Sequence, residues 1–430
     1  MALNQANIGR DPPSIVRTRA LGNETHLGHS RITAVFGSLG LKEPCNKVAY
    51  LRMPKAPSRF KINSTGESGI PILSFFSGAG FLDLGFEAEG FEIFFTNEVE
   101  PKFNYAYSHS RKKMGLPLPK FGQSEQSIDS FLKDSDPTLK HAVTCAEKTS
   151  SNWGMIGGPP CPDFSVGGKN RGREGENGKL SQSYASLILE FKPGWFLFEN
   201  VKGLWRTKKH REFYDQLKGQ LEAGGYVLTN HLMNSIQFGA PQDRDRIFLF
   251  GVKKSLLGEH GQKIENFDWM AGAKYPDRAA FDYDWPGTSE FGGNPNRHGV
   301  PQELTVAYWF KKNSVSSHPN SRHHFTPRAA LPRFQTIKEG DDKKKSFKRL
   351  HRHRYSPTAC YGNNEVHLHP WLPRRISAAE ALSIQTLPAQ FELPADMTLS
   401  AMFKTIGNGV PFLLAKGIAQ NIKHFFRHDI

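Results

Sequence analysis

Residues 70–100 read IPILSFFSGAGFLDLGFEAEGFEIFFTNEVE, and this stretch decides the fold. The apolar run IPILSF predicts a short strand, and the small residues of SGAG that follow predict a tight turn. Phe81, Leu82, Leu84 and Phe86 then recur as on one side of a helix, with Gly90 as its stop signal. FEIFFTN predicts a second strand, closed by the acid Glu98. Strand, glycine turn, helix, strand and acid together form the opening of a nucleotide-type βαβ unit. Gly78 and Gly80 stand where a backbone must approach a ligand closely. A carboxylate at Glu98 suits ribose hydroxyls, so an adenosine-containing cofactor is expected. The turn lacks the full G-x-G-x-x-G spacing of NAD sites and the G-K-[ST] of phosphate-binding loops.

The same alternation continues downstream. NWGMIGGPPC predicts a strand and turn, SYASLILEFK a helix, GWFLFENV a strand, KHREFYDQLKGQLEAGG a helix and RIFLFGV a further strand. This is α/β order, implying a mainly parallel sheet covered on both faces. From residue 253 to 373 the alternation gives way to Gly, Pro, His, Asn and basic residues, which predicts a separate, smaller, loop-rich domain with short strands. Helical pattern resumes in SAAEALSIQTL and VPFLLAKGIAQNIKHFF. The expected organisation is therefore an extension over 1–68 with no assigned job, a main domain over 69–252, a loop-rich domain over 253–373, and helices over 374–430 that complete the main domain.

The totals narrow the partners. The 430-residue chain carries a formal net charge of +15, which favours a polyanionic partner such as nucleic acid. No apolar run reaches the length of a membrane span, and MALNQANIGRDPP lacks a secretory pattern, so no membrane partner and a cytoplasmic location are expected. Cys45, Cys145, Cys161 and Cys360 form no C-x-x-C pair. Cys360 lies between His351/His353 and His367/His369, but at spacings that match no common zinc pattern, so no metal is expected.

One cysteine has unusual surroundings. In GGPPCPDFS, residues 157–165, prolines flank Cys161 and hold its thiol on a stiff, non-helical turn. Glu199 closes a strand in FENV, at the sheet end where α/β folds place their sites. QDRDR then offers Arg244 and Arg246 on one side of an extended segment.

FSGAG, the second-strand Glu98, PPC, ENV, Q-x-R-x-R and IGNGVP at 406–411 follow one another in an order and spacing that resemble the C5-cytosine DNA methyltransferases. YSPTACYGNN at 355–364 and RRISAAEALSIQTLP at 374–388 also look like that family's motifs. The resemblance spans about 70–425, apart from roughly 250–350. It implies a Rossmann-like S-adenosylmethionine-dependent methyltransferase domain with a smaller target-recognition domain. It further implies double-stranded DNA as substrate, action as a monomer beside the nucleoid, and host protection alongside a cognate restriction endonuclease.

The resemblance also assigns roles. Cytosine C5 is a poor nucleophile until a thiolate adds at C6, and Cys161 matches that nucleophile. Glu199 matches the acid at the base's N3 edge, a role for which burial should raise its pKa. Arg244 and Arg246 match the arginines that polarise the base and order the carboxylate. Phe76, Gly78, Gly80, Glu98, Pro160, Asn408 and Val410 match cofactor-pocket positions. The target base must leave the duplex, and the loop after Cys161, with Ser165, Lys169, Arg171 and Arg173, suits closure over DNA phosphates. Thr358 matches the recognition-domain threonine near the extruded nucleotide, and KKKSFKRLHRHR at 343–354 suits backbone contact.

Three positions depart from the family pattern. Phe81 stands where a second glycine is usual, and Pro162 where Gln is common. The acid that meets the adenine amine has two candidates, Glu125 and Asp129. Other readings are an RNA cytosine methyltransferase, which the long basic insert disfavours, and a silent DNA-binding regulator, which the intact Cys161, Glu199, Arg244 and Arg246 disfavour.

Overall fold

A computed structural model describes residues 69–133, 136–160, 176–260, 263–275, 279–327, 330–343, 346–358 and 366–427. All belong to one unit, Ala56–Ile430. The expectations placed on 1–68, Cys161, Ser165, Lys169, Arg171, Arg173 and Cys360 fall outside the described residues.

The expected βαβ opening is present as β1 (Ile70–Phe75), α1 (Phe81–Ala88) and β2 (Phe91–Asn97). Next come α2 (Pro101–Met114), β3 (Gln123–Ser124), α3 (Ile128–Lys133), α4 (Pro137–Thr149) and β4 (Gly154–Gly157). The main domain continues through α5 (Glu176–Phe191), β5 (Trp195–Val201), α6 (Lys202–Arg206), α7 (Lys208–Ala223), β6 (Tyr226–Asn234) and β7 (Asp245–Lys253). The sheet order is β3-β2-β1-β4-β5-β7-β6. The first five strands are parallel, whereas β7 runs antiparallel between β5 and β6. Strand order reverses between β1 and β4, and in open α/β sheets the crevice beyond the carboxyl ends at such a point holds the ligand. SGAG follows the first of these strands, and Gly158, Pro159 and Pro160 follow the second.

Alternation along β1 divides the core between the two faces of the sheet. Leu73 and Phe75 pack with side chains of α3, α4, α5 and α7. Ile72 packs on the other face with Phe86, Trp195, Phe250 and the helix Phe412–Arg427. That helix, at the far end of the chain, therefore closes the domain: Ala415 lies against the α-carbon of Gly85, where a side chain would collide. A third cluster joins Phe81 and Leu84 of α1 to Ile376, Leu382, Phe391 and Phe403.

Beyond β7 the chain first stays on the sheet, with the rings of Phe250 and Phe267 4.5 Å apart. It then becomes loop-rich, with short helices at Val306–Lys312 and Leu331–Thr336 and a two-residue strand pair, Lys348–Arg349 with His367–Leu368. The basic run at 343–354 is only partly a surface. Arg349 is fully buried and donates to the carbonyls of Ile337, Phe334 and His369. Arg352 holds buried Glu339 with Nη2 to Oε2 at 2.8 Å. These two arginines, expected among the backbone contacts, spend their charge inside the fold. Among the described residues, no helix is long and apolar enough to cross a membrane.

Candidate active site

The turn after β1 is built from left-handed residues: φ is 55° at Phe76, 56° at Gly78 and 80° at Gly80. The two glycines serve differently. A β-carbon on Gly78 would meet nothing within 4 Å, so this α-carbon faces open space. On Gly80 it would sit 2.6 Å from Cε2 of Tyr107, so the turn is seated on that ring. Phe76 tolerates its strained backbone with its ring edge-on to Tyr184, centroids 6.1 Å apart.

Glu98 closes the turn from β2. Its Oε2 accepts from the Gly78 amide at 3.0 Å and its Oε1 from the Glu100 amide at 2.9 Å. Burial raises its pKa, against the pull of those two amides. A carboxylate has about four acceptor sites, so hydroxyl donors can still be received. Asn104 donates to the Glu98 carbonyl at 2.6 Å and lies 3.5 Å from Oε1 of Glu125. Glu125 lines an open cleft of about 470 Å3 with Phe95, Ser124 and Gln126. Of the two candidate acids Glu125 thus faces the cleft, while Asp129 accepts from Ser183 on α5. Val99, beside Glu98, leaves 59% of its surface exposed, a feature sequence reasoning passed over.

Across the switch point, β4 delivers Gly158, buried Pro159 and exposed Pro160. Glu199 lies so close that a β-carbon on Gly158 would be 2.6 Å from its Oε2. Asn200 reaches the Pro159 carbonyl at 3.5 Å while accepting from the Val201 amide at 2.8 Å. The ENV tripeptide therefore supplies both the acid and a tether for the turn that leads into Cys161.

Glu199 is 8% exposed and paired with Arg246, Nε to Oε1 2.8 Å. The antiparallel β5–β7 register, Val201 opposite Arg246, makes this contact. Burial pushes the Glu199 carboxyl up; Arg246 and Arg244 pull it down, and burial prevails. The two arginines divide the work. Arg244 is fully buried and donates Nη2 to the Gly407 carbonyl at 2.7 Å, clamping the last turn of the helix Leu399–Asn408. Gln385 holds that turn as well, donating to the Ile406 carbonyl at 2.6 Å, and Gln242 reaches Gln385 at 3.3 Å. Neither glutamine was singled out from the sequence, although both lie inside motifs quoted from it.

At the end of that helix Asn408 is exposed, and Val410, just beyond it, is buried. The ring of Phe81 fills the space over the α-carbon of Gly409 and meets Phe391 edge-on, centroids 5.2 Å apart. The residue that departs from the glycine pattern thus ties the first motif to the last. Thr358 donates Oγ1 to the Asp243 carbonyl at 2.5 Å, which brings the loop-rich region against the Q-x-R-x-R segment. Phe76, Gly78, Gly80 and Glu98 share one end of the sheet with Pro160, Glu199 and Arg246, and Arg244 ties the end of the helix Leu399–Asn408 to it.

The family model of the C-5 cytosine-specific DNA methylases matches residues 70–424. The chain belongs to this family. Among curated relatives, it is 58% identical over 359 residues to the Type II methyltransferase M.NmeDI of Neisseria meningitidis serogroup C, covering 83% of this chain and 84% of the relative. It is 28% identical to the Type II methyltransferase M.FnuDI of Fusobacterium nucleatum, over 82% of this chain and 94% of that one. Among solved structures, a methyltransferase encoded within an E. coli prophage superposes with a TM-score of 0.59 at 21% identity, covering 83% of this chain and 99% of that one. The S. pombe Dnmt2 methyltransferase gives 0.52 at 12% identity, over 83% and 99%. These superpositions show the shared fold. As a C5-cytosine DNA methylase, the protein is an enzyme that acts on DNA.

Proposed function

We propose that this methylase moves a methyl group from S-adenosylmethionine to C5 of a cytosine extruded from a specific duplex DNA sequence, through a covalent Cys161–C6 adduct. The observation that carries the reading is the buried Glu199, held by Arg246 and pressed against the glycine turn that leads into Cys161. A carboxyl raised by burial can keep a proton for N3 of the base, offsetting the charge that builds up when the thiolate adds at C6.

The residues present fit the cofactor. Gly78 leaves room for it, Glu98 offers acceptors for ribose hydroxyls, and Val99 offers an apolar surface with Glu125 at the adjoining cleft. When bound, S-adenosylmethionine supplies an electrophilic methyl. The chain's own part is to form the Cys161 Sγ–C6 bond, which places an electron pair on C5, and to hold the base through Glu199 and Arg246. After C5 takes the methyl, loss of its proton returns the pair to C5–C6 and expels the thiolate. Ser165, Lys169, Arg171 and Arg173 are assigned to phosphates of the closed complex, Thr358 to the extruded nucleotide, and 253–373 to target recognition. The likeness to Type II methyltransferases supports host protection opposite a cognate endonuclease.

Incubation with labelled S-adenosylmethionine and either duplex DNA or RNA tests this. Label should enter cytosine of duplex DNA, and Cys161→Ala should abolish it. Transfer to RNA alone would overturn the reading.

A further inference from the structure

Lys202–Arg211, directly after β5, reads KGLWRTKKHR and carries Lys202, Arg206, Lys208, Lys209 and Arg211 with no acid among them. The stretch begins three residues beyond Glu199, and α6 spans about 7.5 Å at 1.5 Å per residue, so the chain stays near the catalytic strand end. It is firmly seated. Leu204 is buried, Trp205 packs on the sheet-face core, and Lys202 is pinned by Asp245 at 2.5 Å. Arg206 and Lys208 are exposed. The Arg211 guanidinium lies 4.7 Å from the Trp205 ring centroid and donates to the Trp205 carbonyl at 3.2 Å. It pairs with Asp215 at 3.6 Å on the same exposed helix face, a weak pairing.

The placement of these charges runs against local electrostatics. The first turn of α7 contains no acid and holds cations at the positive end of the helix. In α2 and in the helix Val306–Lys312 the basic clusters sit in the last turn, where the dipole favours them. A face kept only for solubility has no need of this arrangement, whereas an anion across it offsets the repulsion. The buried Arg349 and the half-buried Arg352, paired to Glu339, add to the case, because part of the basic run expected to hold DNA is committed to the fold.

We propose that Arg206, Lys208 and Arg211 form a phosphate-binding patch on the catalytic domain that grips the DNA backbone beside the target base. A duplex carries about one charge per 1.7 Å of axis, so a target base drawn to Glu199 brings phosphates within the patch's reach. The patch rests on the enzyme's action on DNA. It contributes affinity without sequence information.

The test uses the full chain and the variant R206A/K208A/R211A, with duplex DNA binding measured against salt and methyl transfer at saturating DNA. Log K against log salt should flatten by about 2–3, and KM for DNA at 0.1 M salt should rise roughly tenfold or more. The kcat and the methylated sequence should not change. R206K/R211K should keep the wild-type slope, and Arg206→Gln and Lys208→Gln should each lower it by about 1, which covers the case of a triple variant that does not fold. An unchanged slope and KM would overturn the patch. So would an equal shift in K133A/K140A/K148A, which removes the same charge from exposed sites elsewhere. Wild-type methyl transfer to duplex DNA in the same assay reports on the proposed function separately: its absence would sink that reading, not the patch alone.

Discussion

Nε of Arg246 lies 2.8 Å from Oε1 of Glu199, inside the protein, between antiparallel strands β5 and β7. The pair sets two opposing influences on one carboxyl: burial favours the neutral acid and the guanidinium favours the anion. An acid so balanced can keep or release a proton in answer to charge arriving on a bound base. It also needs its partner, because removal of one member of a buried pair costs about 3–5 kcal/mol.

Glu199→Gln is therefore expected to lower kcat by roughly 10²–10⁴ while duplex binding holds. Arg246→Ala should displace one limb of the kcat–pH profile to higher pH, since the carboxyl loses a group that pulls its pKa down, while the other limb stays. The double variant E199Q/R246A should melt above R246A alone, because it removes the stranded acid. Steady-state pH profiles and thermal melts check all three, and coincident profiles for R246A and wild type would refute the pairing's role.

The glycine turn allows cofactor contact to be separated from stability. Gly78→Ala faces open space, so its folding cost is the left-handed backbone alone, about 1–2 kcal/mol. Gly80→Ala adds a collision with Tyr107 at 2.6 Å, and overpacking of this kind costs about 1–3 kcal/mol more. Gly78→Ala should stay folded yet show a cofactor KM raised about tenfold, whereas Gly80→Ala should lose chiefly melting temperature. Cofactor titration beside thermal melts distinguishes them, and equal behaviour of the two would show that Gly78 does not border the cofactor.

Much of this site was legible in the sequence because its parts are punctuated by Gly and Pro at strand ends, where local chemistry dictates the turn. The β1–α1–β2 opening, β4, β5 and the helix that closes the domain could be read from apolar pattern. Strand β6 could not: YVLTNHLMN lacks clean alternation, and its middle is half-buried at the sheet edge. The antiparallel direction of β7 is a pairing property that periodicity does not encode. Placing Arg244 and Arg246 on one side assumed an extended segment, but β7 starts only at Asp245, so Arg244 precedes the strand and turns to Gly407. Burial of Arg349 was hidden for a related reason, since its carbonyl partners come from Phe334, Ile337, His369 and Leu372.

Beneath the glycine turn after β1 lies a buried network with a pH signature of its own. Asp83 of α1 accepts from Ser74 Oγ at 2.7 Å and from the Tyr107 hydroxyl at 3.0 Å, and Arg111 links Tyr107 to Glu87. Burial raises the Asp83 pKa from 3.8 to about 6, despite the two hydroxyl donors. Between those values the native state binds the proton that the unfolded state has released, so stability falls as pH rises across about 4–6. A shift of this size corresponds to about 3 kcal/mol, present in full below pH 4 and lost above 6. Asp83→Asn does not titrate, and its amide oxygen can still accept from one hydroxyl. The difference in unfolding free energy between wild type and D83N should therefore change by about 3 kcal/mol between pH 4 and 6.5, with wild type relatively more stable at the acidic end. Denaturant melts across that range measure it. A pH-independent difference would show that Asp83 stays ionised in the fold and that Arg111, not burial, governs it.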